Sequence, residues 1–215
     1  MPTLTMSNNP SCGQSCTEHR NTLADMPDRR QNPGSVTCVA LLRGINVGKA
    51  KRIAMADLRE IVSGLGHQQV RTLLNSGNVV FNVSGHRPPD CAALAAALHE
   101  AIATKVGVNT SVTVVTASAL DAIVRGNPWP EAALQPSQLL VAFAPNATSL
   151  AGLEPLALQT WAPDRFALTS LAAYAWCVSG ILESPLGVAL LKACGGIATT
   201  RNWATVCKLH EICQG

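Results

Sequence analysis

The spacing of apolar residues along the chain constrains its fold more than any other feature of the sequence. Between residues 37 and 116, segments with strand character alternate with segments of helical spacing in the order βαββαβ. Pro88 and Pro89 mark the expected start of the second helix. This order is typical of a ferredoxin-like unit. The strands are expected at residues 37–42, 69–74, 79–83 and 111–116, and the helices at residues 55–65 and 88–106.

A similar order of elements recurs in the second half of the chain. The last element is an amphipathic helix with Trp203, Val206, Leu209 and Ile212 on one face. The chain is therefore predicted to be an α+β protein of two ferredoxin-like βαββα units, with antiparallel sheets and a C-terminal helix. In this half, strands are expected at residues 138–144, 165–169 and 173–178, and helices at residues 149–159, 185–193 and 201–213.

The element order also predicts how the chain is divided. A first unit at residues 37–116 and a second unit at residues 137–213 flank a linker helix and a Pro/Trp segment at residues 117–136. Residues 1–36 are polar and show neither the period of a strand nor that of a helix. We therefore expect them to form a disordered N-terminal extension, within which Met26 is an alternative start.

Composition excludes several classes of protein. Hydrophobic residues make up 47% of the 215 residues and charged residues only 13%, which excludes a disordered chain. No apolar run approaches the roughly 20 residues that a membrane span needs, so no membrane partner is expected. The net charge of +3 is too small to indicate nucleic acid by itself. The 3 Phe, 4 Trp and 1 Tyr offer few stacking platforms, so a nucleic-acid partner is not favoured.

The eight cysteines do not form a recognisable metal or disulfide pattern. They include no C-x-x-C pair and no zinc-finger spacing. Since no secretory signal is visible, we expect a cytoplasmic location and free thiols. Cys12, Cys16 and His19 offer only three ligands, so no metal site is predicted. Walker A and dinucleotide-binding motifs are absent as well, and no cofactor is predicted.

One cluster of polar residues is expected at a single edge of the first sheet. In a ferredoxin-like unit, the loop after the first strand lies beside the turn between the second and third strands. Loops at one edge of a rigid sheet are common places for binding sites. The loop contributes Arg43, Asn46 and Lys49, and the turn contributes Ser76 and Asn78. Cations, amides and glycine-rich backbone suit a polar or anionic ligand, although Asn and Gly are also what tight turns require.

A second polar group precedes the last amphipathic helix. Thr199 or Thr200 is expected to cap that helix, and Arg201 and Asn202 follow directly. A helix N-terminus beside an arginine favours anions, and Trp203 is suited to stacking on a ring. The ligand-binding set predicted from both groups therefore includes Thr200, Arg201 and Asn202 together with the residues of the first edge.

Three functions remain open at this point. The first is a binding protein for a nucleotide or a phosphorylated small molecule, and the second is a structural or protein-interaction module. The third is an enzyme, for which Ser76, Lys49 and Asp57 are the nearest candidate groups. No G-x-S-x-G or H-E-x-x-H motif is present, so no reaction, oligomeric state or catalytic residue is predicted.

Four segments of the chain carry a resemblance to a known family. They read VALLRGINV at residues 39–47, MADLR at 55–59, VRTLLNSGNVVF at 70–81 and TTRNWATVCKL at 199–209. Together they resemble the bacterial family called domain of unknown function 1697, over about residues 37–213. The resemblance implies the two-unit α+β order but no activity. Pro185 follows Ser184 where members often carry a Lys, so a ligand contact by that Lys would not carry over.

Overall fold

The computed structural model describes residues 34–47, 51–85 and 87–215. The strands are β1 (Ser35–Leu42), β2 (Gln68–Leu73), β3 (Asn78–Ser84), β4 (Val112–Thr116), β5 (Leu139–Phe143), β6 (Arg165–Leu168), β7 (Ala173–Trp176) and β8 (Thr199–Asn202). The helices are α1 (Met55–Gly64), α2 (Cys91–Val106), α3 (Ala117–Arg125), α4 (Ala147–Ala151), α5 (Glu154–Ala157), α6 (Pro185–Ala193) and α7 (Trp203–Gln214), with a 3-10 helix at Pro130–Leu134.

The first sheet has the strand order β2-β3-β1-β4, and all of its pairs are antiparallel. Both faces of strand β1 are covered, which explains why its sequence is a continuous apolar run rather than an alternating one. Cys38, Ala40 and Leu42 face α1 and α2, whereas Val39 and Leu41 lie on the opposite face, and all five are buried.

The second sheet repeats this arrangement with the order β6-β7-β5-β8, again antiparallel throughout. Strand β5 occupies the position that β1 has in the first sheet. On one face, Leu140 and Ala142 pack with residues of α4, α5 and α6. The prediction of an α+β fold with two antiparallel sheets is therefore confirmed.

A central core joins the two sheets. Val39 and Leu41 of β1 share one buried cluster with Val141 and Phe143 of β5, and Leu209 of α7 belongs to the same cluster. Helix α3 packs against α7 beside them. The inner faces of both sheets are therefore covered by each other and by two helices, one between the two sheets in sequence and one after the last strand.

Two predicted helices differ from the structure. Residues 199–202 form β8, a strand that pairs with β5, so the prediction that Thr199 or Thr200 caps the last helix is wrong. Asn202 caps α7 instead, because its Oδ1 accepts a hydrogen bond from the Thr205 N–H at 3.0 Å. The single helix expected at residues 149–159 is divided into α4 and α5, since Gly152 ends the first and Pro155 cannot continue its hydrogen bonding.

The remaining differences concern the ends of elements. Helix α2 starts at Cys91 rather than at Pro88, because Asp90 accepts hydrogen bonds from the N–H groups of Ala92 and Ala93 and so caps it. Strand β1 starts at Ser35, two residues before its predicted start at Thr37. The rest of the predicted N-terminal extension, residues 1–33, lies outside the described residues.

Candidate functional site

The side chain of Asn46 holds the loop after β1 against the turn between β2 and β3. Its Nδ2 donates to the carbonyl oxygens of Asn75 at 2.7 Å and Ile53 at 3.0 Å, and its Oδ1 accepts from the Ile53 N–H at 2.9 Å. Asn46 has a φ of 55°, a left-handed conformation that Asn tolerates better than most residues. The predicted convergence of the two loops is observed, but both Nδ2 hydrogens of Asn46 serve the scaffold.

The turn itself requires a glycine and a buried amide. Gly77 has a φ of 77°, and a Cβ at this position would lie 2.7 Å from the Cβ of Leu42 and 2.8 Å from the Cδ1 of Ile45. Asn78 is fully buried, and its Nδ2 donates to the Leu73 carbonyl at 2.9 Å and to the Ser76 Oγ at 3.0 Å. This part of the predicted site is therefore built as a rigid turn.

Arg201 extends from β8 in the second sheet to the same turn of the first sheet. Its Nε donates to the Oδ1 of Asn78 at 2.5 Å, and its Nη2 donates to the Leu42 carbonyl at 2.7 Å. Its Nη1 donates to the Thr199 Oγ1 at 3.0 Å. Further acceptors are the carbonyl oxygens of Thr200 for Nη1 and of Ser76 and Gly77 for Nη2.

All of the acceptors around the Arg201 guanidinium are uncharged groups of the protein itself. A guanidinium has five N–H donors, and six neutral oxygens surround them here, none of which is a carboxylate. The residue is 9% exposed, and this burial lowers its pKa to about 10, so it stays protonated at pH 7. Arg201 is therefore a charged cross-link between the two sheets that has no donor left for a ligand.

The other predicted binding residues are distributed around this cross-link. The Oγ of Ser76 accepts from Asn78, and Thr200 offers its carbonyl to Arg201. Asn202 is occupied in capping α7. Lys49 lies outside the described residues. The predicted cluster is therefore partly assembled, and the contacts that assemble it are internal ones.

Arg43 has a different environment. Its backbone is fixed to the start of β4. Its N–H donates to the carbonyl oxygen of Ser111 at 2.9 Å, and its own carbonyl accepts from the Thr110 Oγ1 at 2.7 Å. Its half-buried side chain lines a cleft that has a volume of about 40 Å³ and is open to solvent. Within the described residues, no carboxylate pairs with its guanidinium. The cleft is lined by Arg43, Ser111, Val112, Thr113, Pro145, Gly196, Ile197, Ala198 and Thr199.

The position of this cleft follows from the topology. It lies where the C-terminal ends of β1 and β5 meet the N-terminal ends of β4 and β8, so both sheets contribute one wall. Arg43 was predicted from the sequence as a ligand contact but Ser111 and Thr113 were not, and Thr199 or Thr200 was predicted as a helix cap. Strand register places these hydroxyl groups beside Arg43, and strand register cannot be derived from a single sequence.

The described residues that line the cleft carry one guanidinium group and three hydroxyl groups. Among its described lining residues there is no Asp, Glu, His or Cys, so none of them can act as a general base or a thiol nucleophile. Cys194 lies close enough to sense the charge of Arg43, but burial raises the pKa of this thiol to about 11. At neutral pH it is therefore protonated and unreactive.

The described part of the chain offers neither a metal-binding cluster nor a membrane-spanning helix. The described residues hold no group of three or more His, Cys, Asp or Glu side chains that could bind a metal ion. Cys12, Cys16 and His19 lie outside the described residues. None of the described helices is both long enough and apolar enough to span a bilayer.

Comparison with known proteins agrees with this architecture. The conserved bacterial protein SP0830 from Streptococcus pneumoniae has a similar structure, with a TM-score of 0.69 at 20% sequence identity. The similarity covers 83% of this chain and 99% of that one, and it concerns the fold. No curated protein matches the sequence. The family described as protein of unknown function DUF1697 matches residues 36–174, well over half of the chain. This chain belongs to the DUF1697 family.

Proposed function

We propose that this protein binds a small anionic ligand in the cleft between its two sheets, with Arg43 as the cation. The observation that carries the proposal is the state of the Arg43 side chain. It is half-buried beside the cleft, and no acidic group of the described residues neutralises it. A cation held in a concave site without a partner is a recurrent way to recognise phosphate and carboxylate groups.

The size and charge of the molecule favour a small ligand over a polymer. The cleft volume of about 40 Å³ has room for one small anionic group, such as the phosphate of a nucleotide or a sugar phosphate. A strand of nucleic acid needs an extended basic surface and aromatic platforms, whereas this chain has a net charge of +3 and few aromatic residues. We therefore place nucleotides and phosphorylated metabolites before oligonucleotides.

The rest of the predicted cluster supports this function indirectly. Asn46, Asn78 and Arg201 hold the loop that carries Arg43 in a fixed conformation. Such pre-ordering reduces the entropy that a binding site loses when the ligand arrives. We propose the cytoplasm as the location. The free thiols of the described residues, Cys38, Cys91, Cys177, Cys194, Cys207 and Cys213, support this proposal.

The test is thermal unfolding of the protein with a panel of nucleotides, sugar phosphates and short oligonucleotides. A ligand at 100 times its Kd adds about 2.7 kcal/mol to the free energy of unfolding. For a chain of this size, that raises the melting temperature by roughly 5–10 °C. Arg43→Ala should melt within about 2 °C of the wild type and lose the ligand-induced rise, since its side chain has no partner to orphan.

The matched control is Arg71→Ala, which removes the same charge from an exposed position on the edge strand β2. It should keep the ligand-induced rise. Failure of every anion to shift the wild type would refute the proposal and favour a protein-interaction role. Catalysis would instead be indicated if an active ligand were converted during incubation, as seen by phosphate release.

A further inference from the structure

We infer that Thr113 and Thr199 supply the hydroxyl donors of the cleft, so that the ligand group it recognises is a tetrahedral oxyanion such as phosphate rather than a planar carboxylate. The inference rests on the proposed function and extends it from charge to geometry. Both residues line the cleft, one on each sheet, and both are almost fully buried, with exposed fractions of 4% and 3%.

Strand register places the two threonines in equivalent positions. In the first sheet Thr113 lies opposite Leu41, and in the second sheet Thr199 lies opposite Phe143. Residues directly opposite each other in an antiparallel pair project to the same face of the sheet. Leu41 and Phe143 both belong to the core between the sheets, so the two threonine side chains also point into that space.

The hydroxyl of Thr199 has a defined orientation. Its Oγ1 accepts a hydrogen bond from the Nη1 of Arg201 at 3.0 Å, and that nitrogen has no lone pair to offer in return. The hydroxyl hydrogen must therefore point away from Arg201. Among the described residues no acceptor receives it. Arg201 thus acts as a positioning residue that presents Thr199 to the cleft as a donor, although it makes no contact there itself.

The hydroxyl of Thr113, unlike that of Thr199, accepts no hydrogen bond from Arg201. In the described part of the chain it has no hydrogen-bond partner, yet it is not one of the fully enclosed unpartnered atoms, which are Gln138 Oε1 and Trp176 Nε1. Its oxygen is therefore not fully enclosed, and Thr113 is one of the residues that line the cleft. A hydroxyl beside a cleft and without a protein partner is available to a ligand or to water.

Together these donors match one ligand geometry. The planar fork of Arg43 satisfies a carboxylate on its own, because both groups are flat and pair in two parallel hydrogen bonds. A phosphate group has three or more oxygens arranged as a tetrahedron. It therefore accepts hydrogen bonds from further donors that approach from other directions. Thr113 and Thr199 lie on two facing sheets and approach from such directions.

The test uses calorimetric titration of inorganic phosphate and of acetate at equal ionic strength into the wild type and three variants. Thr199→Val and Thr113→Val keep the branched shape and remove the hydroxyl, whereas Thr199→Ser keeps the hydroxyl. A hydrogen bond to a charged group corresponds to about a tenfold or greater change in affinity. Each valine variant should therefore bind phosphate at least about tenfold more weakly, and the serine variant within about threefold of the wild type.

The outcomes separate this inference from the proposed function. Phosphate binding that depends on Arg43 but is unchanged in both valine variants would overturn the inference and leave the proposed function standing. Equal affinity of the wild type for phosphate and acetate would also overturn it. If neither anion nor any ligand of the wider panel binds the wild type, both this inference and the proposed function are refuted. Thr113→Val loses no hydrogen bond within the described residues, so it remains a valid test if Thr199→Val unfolds.

Discussion

The Nε of Arg201 lies 2.5 Å from the Oδ1 of Asn78, and this hydrogen bond joins β8 of one sheet to β3 of the other across 123 positions of sequence. Both groups are buried, and the Nη2 of the same guanidinium binds the carbonyl of Leu42 at 2.7 Å. Asn78 and Arg201, two of the residues predicted from the sequence as ligand contacts, thus connect the two sheets.

Removing this connection should be strongly destabilising. In Arg201→Ala, the Oδ1 of Asn78 and the Leu42 carbonyl lose their donor while they remain buried, at about 1–3 kcal/mol for each unsatisfied group. We expect the free energy of unfolding in urea to fall by at least about 3 kcal/mol. The control Arg71→Ala should change it by less than about 0.5 kcal/mol. A loss below about 1 kcal/mol in Arg201→Ala would show that the cross-link is dispensable.

Replacing the same residue by lysine separates charge from geometry. Lysine keeps the positive charge but offers one nitrogen instead of three, so it cannot reach Asn78, Leu42 and Thr199 together. Arg201→Lys should therefore be nearly as unstable in urea as Arg201→Ala. Recovery of most of the wild-type stability would mean that charge alone is needed.

Two glycines with similar backbone angles provide a matched pair. Gly77 has a φ of 77° and Gly66 a φ of 87°, so alanine is strained at both. At Gly66 a Cβ meets nothing within 4 Å, whereas at Gly77 it would lie 2.7 Å from Leu42. We expect Gly66→Ala to lower the free energy of unfolding by about 1 kcal/mol and Gly77→Ala by at least about 2–3 kcal/mol. Equal losses in urea would indicate that the turn can relax.

The start of α7 can be located by substitution. Asn202 caps this helix through its hydrogen bond to the Thr205 N–H, so Asn202→Ala should lower the free energy of unfolding by about 1 kcal/mol. Asn202→Asp preserves the capping oxygen and should retain most of the stability. Thr200→Ala should be close to neutral, which would not be so if Thr200 were the cap.

The buried thiols predict an alkaline limit to stability. Burial raises the pKa of Cys38 to about 12 and that of Cys194 to about 11, from an ordinary value of 9.0. The folded state therefore prefers the neutral thiols, and their contribution to stability is full below pH 9 and is lost as the pH rises toward 11–12. The urea midpoint should fall between pH 9 and pH 11. Cys194→Ala should flatten this fall, and a constant midpoint in the wild type would contradict the expectation.

The layout of the first sheet was predictable because its signals are local. The apolar run of β1, the spacing of α1 and the Asn-Ser-Gly-Asn turn each favour one structure, and a known topology then brings Asn46 beside Asn75. Nothing beyond element order was needed to expect that convergence.

The roles of Arg43 and Arg201 could not be separated in the same way. Both are arginines near glycine-rich or polar segments, and their sequence neighbourhoods look equally suited to a ligand. Arg201 is distinguished by carbonyl groups of residues 42, 76 and 77, which carry no side-chain signal. Strand β8 was missed for a related reason. Its four polar residues show no apolar alternation, and it exists because β5 offers them a partner.

The central core has a consequence for how the protein is made. The inner face of β1 and β3, with Val39 and Val80, is completed by Val206 and Leu209 of α7, close to the end of the chain. At translation rates of about 5–20 residues per second, this apolar face stays uncovered for on the order of ten seconds before α7 leaves the ribosome. An apolar face that stays uncovered during synthesis is prone to aggregate, so we expect chains truncated before α7 to aggregate rather than to leave a folded half.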